Sequence, residues 1–121
     1  MSGELRDFGG ARLSALLARF GGLRIGVLGD FFLDKYLEVE PSLAESSLET
    51  GRVAHQVVAS RHSPGAAGTV AANLAALGAG QLFALGFAGD DGEGYELRAD
   101  LAALGVETAG LHVDAGRRTP P

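Results

Sequence analysis

No cysteine occurs in this chain, so disulfide bridges and thiolate-held metal sites are excluded, a composition that suits a reducing compartment. Lysine is nearly as scarce. Lys35 is the only one, the other cations are scattered arginines and the formal net charge is −5. A phosphate backbone is held by clustered Lys and Arg, so nucleic acid is excluded as a partner. No stretch approaches the roughly twenty apolar residues needed to span a bilayer, and no signal-type apolar run follows the N-terminal charges. The expectation is a cytoplasmic protein without membrane attachment. Phosphate fingerprints of the GxxxxGK(S/T) and GxGxxG types are also missing. His55, His62 and His112 lack ligand spacing, no HExxH or Ser-His-Asp arrangement can be assembled, and the three read as surface or flap residues.

What is present is enough apolar material for a core, 46% of 121 residues, as one globular domain or part of a larger one. The 19 glycines fall between periodic segments and mark tight connections. Leu13, Leu16, Leu17 and Phe20 predict an amphipathic helix over 10–20, closed by Gly21-Gly22. The run 23–28 predicts a buried parallel strand, and 82–88 a second. Residues 34–40 and 53–61 mix valines with His and Gln and read as half-exposed strands, with a polar loop from Pro41 to Gly51 between them. Residues 66–77 form an Ala-rich helix with Leu74 and Leu77, stopped by Gly78. Residues 95–104 form a helix turning Leu97, Leu101 and Leu104 to the core, and 110–113 a short strand. This alternation predicts an α/β fold with a doubly wound sheet, and the segment at about 34–61 stands outside it as a small β flap or lid.

Two segments carry the chemistry. Gly29-Asp30-Phe31-Phe32-Leu33-Asp34 ends the first strand in carboxylates, at the sheet edge where open α/β folds bind ligands. Pro64-Gly65-Ala66-Ala67-Gly68-Thr69 opens a helix with small residues that let backbone N–H groups approach the same ligand. Asp34 reads either as a ligand-binding carboxylate, which can accept two hydroxyl protons at once, or as a solvated loop aspartate. Asp30 reads either as a turn-capping residue or as a ligand contact. The Gly65 turn is an anion or hydroxyl cradle, or a plain helix entry packed close on the sheet. The acidic turn 90–94 lacks the alternating twelve-residue pattern of a calcium loop and reads as a first helical turn complementing the helix dipole.

Residues 23–120 resemble the N-terminal part of a PfkB-type, ribokinase-like carbohydrate kinase. The matching stretches, in order, are Gly29-Asp30 with Asp34, the segment PGAAGTVAANLAALG at 64–78, the turn 89–94, Leu104-Gly105-Val106-Glu107-Thr108, and Arg118-Thr119-Pro120. GDFFLDKY is most similar to the heptose-phosphate kinase branch. The resemblance implies a ribokinase-like doubly wound sheet with a β flap, of which 1–121 is a partial domain, and substrate-binding roles for Asp34, Gly65, Ala66, Thr69 and Asn73. Asp34 takes the place of the aspartate that holds the sugar hydroxyls. The chain departs from the family where Ala66 replaces a second glycine and Thr69 replaces a substrate-contacting asparagine. Threonine keeps a hydroxyl but loses the amide's second donor, which Asn73, one turn on, replaces or merely leaves exposed. The spacing from Gly78 to Gly89 is also one residue longer than the family's.

The resemblance further implies ATP and Mg2+ as cofactors of the full-length kinase. The family's nucleotide site, anion hole and catalytic aspartate come from the C-terminal half, and no motif in this chain matches them, so no catalytic residue is assigned. The reading is an acceptor half, binding a sugar or sugar phosphate and inactive in phosphoryl transfer by itself. The alternatives are a non-catalytic sugar-binding or dimerisation module, forming a homodimer through exposed flap strands, and, more weakly, an unrelated nucleotide-binding α/β protein.

Overall fold

The computed structural model describes residues 9–120. Helix α1 spans Gly10–Ala18, and a single 3₁₀ turn follows at Phe20–Gly22, so the expected helix stops short of Phe20. Its Leu13 and Leu17 remain about half exposed, and the stripe meets no core among the described residues.

The main sheet is parallel. Strand β1 (Arg24–Leu28) pairs with β4 (Gln81–Gly89) from Arg24↔Gln81 to Leu28↔Leu85. Strand β5 (Val106–Glu107) lies against the start of β4 and β6 (Leu111–Asp114) against its end. A two-residue strand such as β5 is too short to leave a period in the sequence. Between these strands run β2 (Phe31–Ser46), β3 (Val53–Ala66), α2 (Ala67–Ala76) and α3 (Gly92–Ala103).

The core lies on one face of the sheet. Val27, Leu82, Ala84 and Ala88 point inward by strand alternation and meet Ala67 and Ala71 of α2, Leu97 and Leu101 of α3, and Phe31 and Leu33 of β2. The opposite face is open among the described residues: Leu28 is 80% and Phe87 56% exposed, where both strands were expected to be buried throughout. The reason is topological. The chain steps from β1 to β4 to β5 in one direction across the sheet, and right-handed crossovers then place α2 and α3 on the same side. Leu104, also expected in the core, falls at the C-terminus of α3 beyond this packed layer and is exposed, as is Leu77 at the end of α2. No helix among the described residues is long and apolar enough to cross a membrane.

Strands β2 and β3 form a separate antiparallel sheet of two, a long hairpin registered from Phe31↔Ala66 to Ser46↔Val53. Residues 41–46, expected in a loop, belong to β2. Pairing slips between Glu38 and Val39 and again between Glu40 and Glu45, so Pro41 sits where the ladder is already irregular and removes no needed donor. The true turn is residues 47–52, closed by Ser47 N–H to Arg52 O at 2.8 Å, with Gly51 at φ +66°.

Leu97 is fully buried at the centre of this core, and truncation leaves a cavity that the sheet cannot collapse into. Leu97→Ala is expected to cost about 2–5 kcal/mol in denaturant unfolding. Leu48→Ala, at the fully exposed hairpin turn, should stay within about 0.5 kcal/mol of the parent.

Candidate functional site

The carboxyl ends of β1 and β4 open into a cleft of about 140 Å³, lined by Gly29, Asp30, Phe31, the end of β4, Arg117, Arg118 and Pro120. The tail reaches this cleft because Thr119 is held at the β4–α3 turn. Asp91, the N-cap of α3, accepts from Gly94 N–H (2.8 Å), Thr119 N–H (2.8 Å) and the Thr119 hydroxyl (2.7 Å), while the Thr119 oxygen accepts from Gly89 N–H (2.8 Å). Thr119 is 4% exposed. A Cβ at Gly89 would lie 2.6 Å from Thr119 N, so the approach of the tail requires that glycine, while one at Gly94 would meet the Gly89 carbonyl oxygen first and then the Thr119 hydroxyl at 2.8 Å. The Thr119 contacts, then the Gly94 N–H, hold the Asp91 carboxyl below its ordinary 3.8. Helix α3 thus begins at Gly92, three residues before the expected start.

The tail also reaches the hairpin, where Leu33 N–H donates to Pro120 O at 3.1 Å. Phe31 and Leu33 turn to the core, so Phe32 and Asp34 occupy the other face of β2. Asp34 is half-buried and lies opposite Ser63; Phe32 lies opposite Gly65, where any Cβ would collide with its ring. Next, Ala66 takes φ +45° and ψ −107°, a conformation that favours glycine, at the point where β3 gives way to α2. This bend brings Ala67 N–H to Asp30 O at 3.0 Å.

Gly65, Ala66 and Thr69 therefore share the β3–α2 junction, with Asn73 one turn further along α2 and Asp34 two register positions along the hairpin from Phe32 and Gly65. None of the five lines the strand-end cleft; Asp30 does. The Asp30 main chain is structural, while its carboxylate, like that of Asp34, has no hydrogen bond or ion pair among the described residues. The Thr69 hydroxyl donates to Pro64 O at 3.3 Å, and Asn73 is exposed. Arg117 and Arg118 carry no local signal of a site role, because only the fold brings the tail to the strand ends. Arg117 lies 5.2 Å from the centre of the Phe87 ring, and Arg118 helps hold the Asp91 carboxyl down.

Comparison with known proteins locates this architecture. The model of the pfkB family carbohydrate kinase matches residues 32–120. The bifunctional protein HldE of Desulfatibacillum aliphaticivorans is 40% identical over 100 residues, covering 83% of this chain, and that of Mesorhizobium japonicum 36% identical over 111 residues, covering 88%. The chain spans about a fifth of these relatives' length, 20% and 21%. Among solved structures, the fructokinase of Halothermothrix orenii superposes with a TM-score of 0.54 at 26% identity, over 80% of this chain and 31% of its own. The fructokinase of Xylella fastidiosa with bound ATP gives 0.56 at 23% identity, over 79% and 25%, a likeness of fold. The sheet, helices and hairpin are those of a ribokinase-like α/β fold.

Three outcomes test the geometry. Thr119→Val keeps the shape but leaves Gly89 N–H unsatisfied, and should cost about 1–3 kcal/mol, with Thr119→Ser restoring most of it. Because Asp91 binds its donors as the carboxylate and its folded value is depressed, its stabilisation is present above about pH 4 and lost as the pH falls through the folded value. Asp91→Asn should therefore flatten acid unfolding in that range. Separately, Ala66→Gly should stabilise by about 1 kcal/mol, the relief of positive φ exceeding the entropy that glycine adds to the unfolded chain. Calorimetric melting of the variants, across pH for Asp91→Asn, measures all three.

Proposed function

The chain belongs to the pfkB family of carbohydrate kinases, and on that footing we propose that it carries the acceptor-sugar half of an ATP-dependent phosphotransferase site. The observation that supports this reading is the Asp34 carboxylate, half-buried and unpaired among the described residues, on the same hairpin face as the Phe32–Gly65 contact. Such a group accepts two sugar hydroxyls through charge-assisted bonds. Gly65 and Ala66 bring main chain rather than long side chains to the same place. The Thr69 hydroxyl, already donating to Pro64, keeps lone pairs for a sugar O–H, and Asn73 supplies an amide one turn further on.

The acceptor is a sugar or a sugar phosphate. Resemblance of the GDFFLDKY segment to the heptose-phosphate branch favours the phosphorylated class, and Arg117 and Arg118 at the neighbouring cleft suit an anion. In the complete family domain, ATP supplies the phosphoryl group and Mg2+ neutralises its charge. Among the described residues no three His, Asp or Glu side chains converge as metal ligands. The residues of this chain hold and orient the acceptor.

A second reading, a homodimer through the hairpin, draws on Tyr36, Leu37, Val39, Val57 and Val58, all substantially exposed on the two strands. Sedimentation that stays monomeric at high concentration would remove it.

For the first reading, Asp34→Ala should weaken sugar or sugar-phosphate affinity by about 1.5–3 kcal/mol in calorimetric titration, the scale of hydrogen bonds to a charged group. The 121-residue chain should form no ADP from Mg-ATP in response to sugar. Equal affinity of variant and parent for every sugar tested would sink the acceptor assignment.

A further inference from the structure

The sequence reading left Lys35 and His62 without a role, yet the hairpin sets them directly opposite each other, on the face that also carries Leu33 toward the core. Facing them is a stripe on α3. Glu93, Glu96 and Asp100 recur at i, i+3 and i+7, so they share one side of the helix. Lys35 Nζ lies 3.5 Å from Glu93 Oε1 and 3.2 Å from Glu96 Oε2, and His62 Nδ1 lies 2.7 Å from Asp100 Oδ2. Glu96 Oε2 is sealed from solvent, with Lys35 as its one ionic partner among the described residues. Each hairpin strand therefore meets the same helix through a side chain of its own, immediately beside the pair Asp34 and Ser63.

We propose that Lys35 and His62 are positioning residues that latch the hairpin base to α3, fixing Asp34 on the opposite face, and that the latch tightens when the His62 imidazole is protonated. The second half rests on reading Asp34 as an acceptor contact. Histidine gains its charge between about pH 8 and 5. With a neutral imidazole, one cation, Lys35, faces three carboxylates; with an imidazolium, two do. The other groups near His62 are few. Helix α2 carries no titratable side chain, β2 offers Lys35 as a like charge with Asp34 and Tyr36 on the far face, and Arg61 on β3 is turned to that far face and paired with Glu38 at 3.0 Å.

A cysteine-free chain permits two clean spin labels, at Thr50→Cys in the hairpin turn and Ala99→Cys on exposed α3. Pulsed electron paramagnetic resonance on the 121-residue chain should give a narrow distance distribution at pH 6 and an open fraction about threefold larger at pH 8, the scale of an exposed ion pair. His62→Gln should abolish this pH response, His62→Lys should hold the narrow distribution at both pH values, and Lys35→Gln should raise the open fraction at both. A parent distribution that ignores pH, or a response that survives in His62→Gln, overturns the latch. Since no sugar is present, these outcomes stand apart from the acceptor assignment. If the latch is present and Asp34→Ala leaves sugar affinity unchanged, the acceptor reading fails and the latch stands. If sugar affinity depends on Asp34 but not on His62, the positioning role is overturned.

Discussion

One carboxylate joins the parts of this molecule that the chain order keeps apart. Asp91 caps α3 and grips Thr119 through both main chain and side chain, and Thr119 in turn satisfies Gly89 at the end of β4. Helix, central strand and tail meet within a single set of hydrogen bonds, closed to larger residues by Gly89 and Gly94. From there the tail passes its Pro120 carbonyl to Leu33, so the same clasp reaches the base of the hairpin. The strand-end cleft and the hairpin face bearing Asp34 are held in relation to one another by this route. Hydrogen bonds to an ionised group are strong, and losing the Thr119 oxygen would strand the buried Gly89 donor, which is why so small a contact can set so much geometry.

The hairpin obeys a different physics from the body beneath it. The body is ordered by burial of Leu97, Leu101, Leu33 and their neighbours, all within one core. Beyond residue 35 the hairpin offers mostly exposed side chains on both faces and depends on its own ladder, broken twice by bulges. Elements that stand outside a core open at low cost, as ligand-binding lids require. At the hairpin's base, Phe31 and Leu33 enter the core, and beside them Lys35 and His62 meet the carboxylates of α3. The only lysine in the sequence sits at that contact.

Much of the fold could be read from local pattern. The apolar runs of β1 and β4 and the small-residue helix α2 lie within a residue or two of where periodicity puts them, and Gly78, at φ +85°, terminates α2 as a glycine past a helix end should. What escaped depends on contacts distant in sequence. Residues 41–46 look like loop because Pro41 and two serines lower strand propensity, yet pairing with residues 53 and 54 carries them into β2. The exposed face of Leu28 and Phe87 follows from the direction of strand addition, which no single segment encodes. At the site, Asp34 was visible through family resemblance, while the Thr119 clasp joins residues 28 apart and the His62–Asp100 contact residues 38 apart. Such partners carry no local signature, although the glycines bracketing Asp91 marked a turn too tight for ordinary side chains.

That the acceptor sits between the hairpin face and the β3–α2 turn is tested most directly by hydrogen exchange of the chain with and without a saturating sugar or sugar phosphate. Slowed exchange confined to residues 31–34 and 65–70 is the expected footprint. Unchanged exchange at both segments, with protection instead on the open sheet face around Leu28 and Phe87, would contradict it.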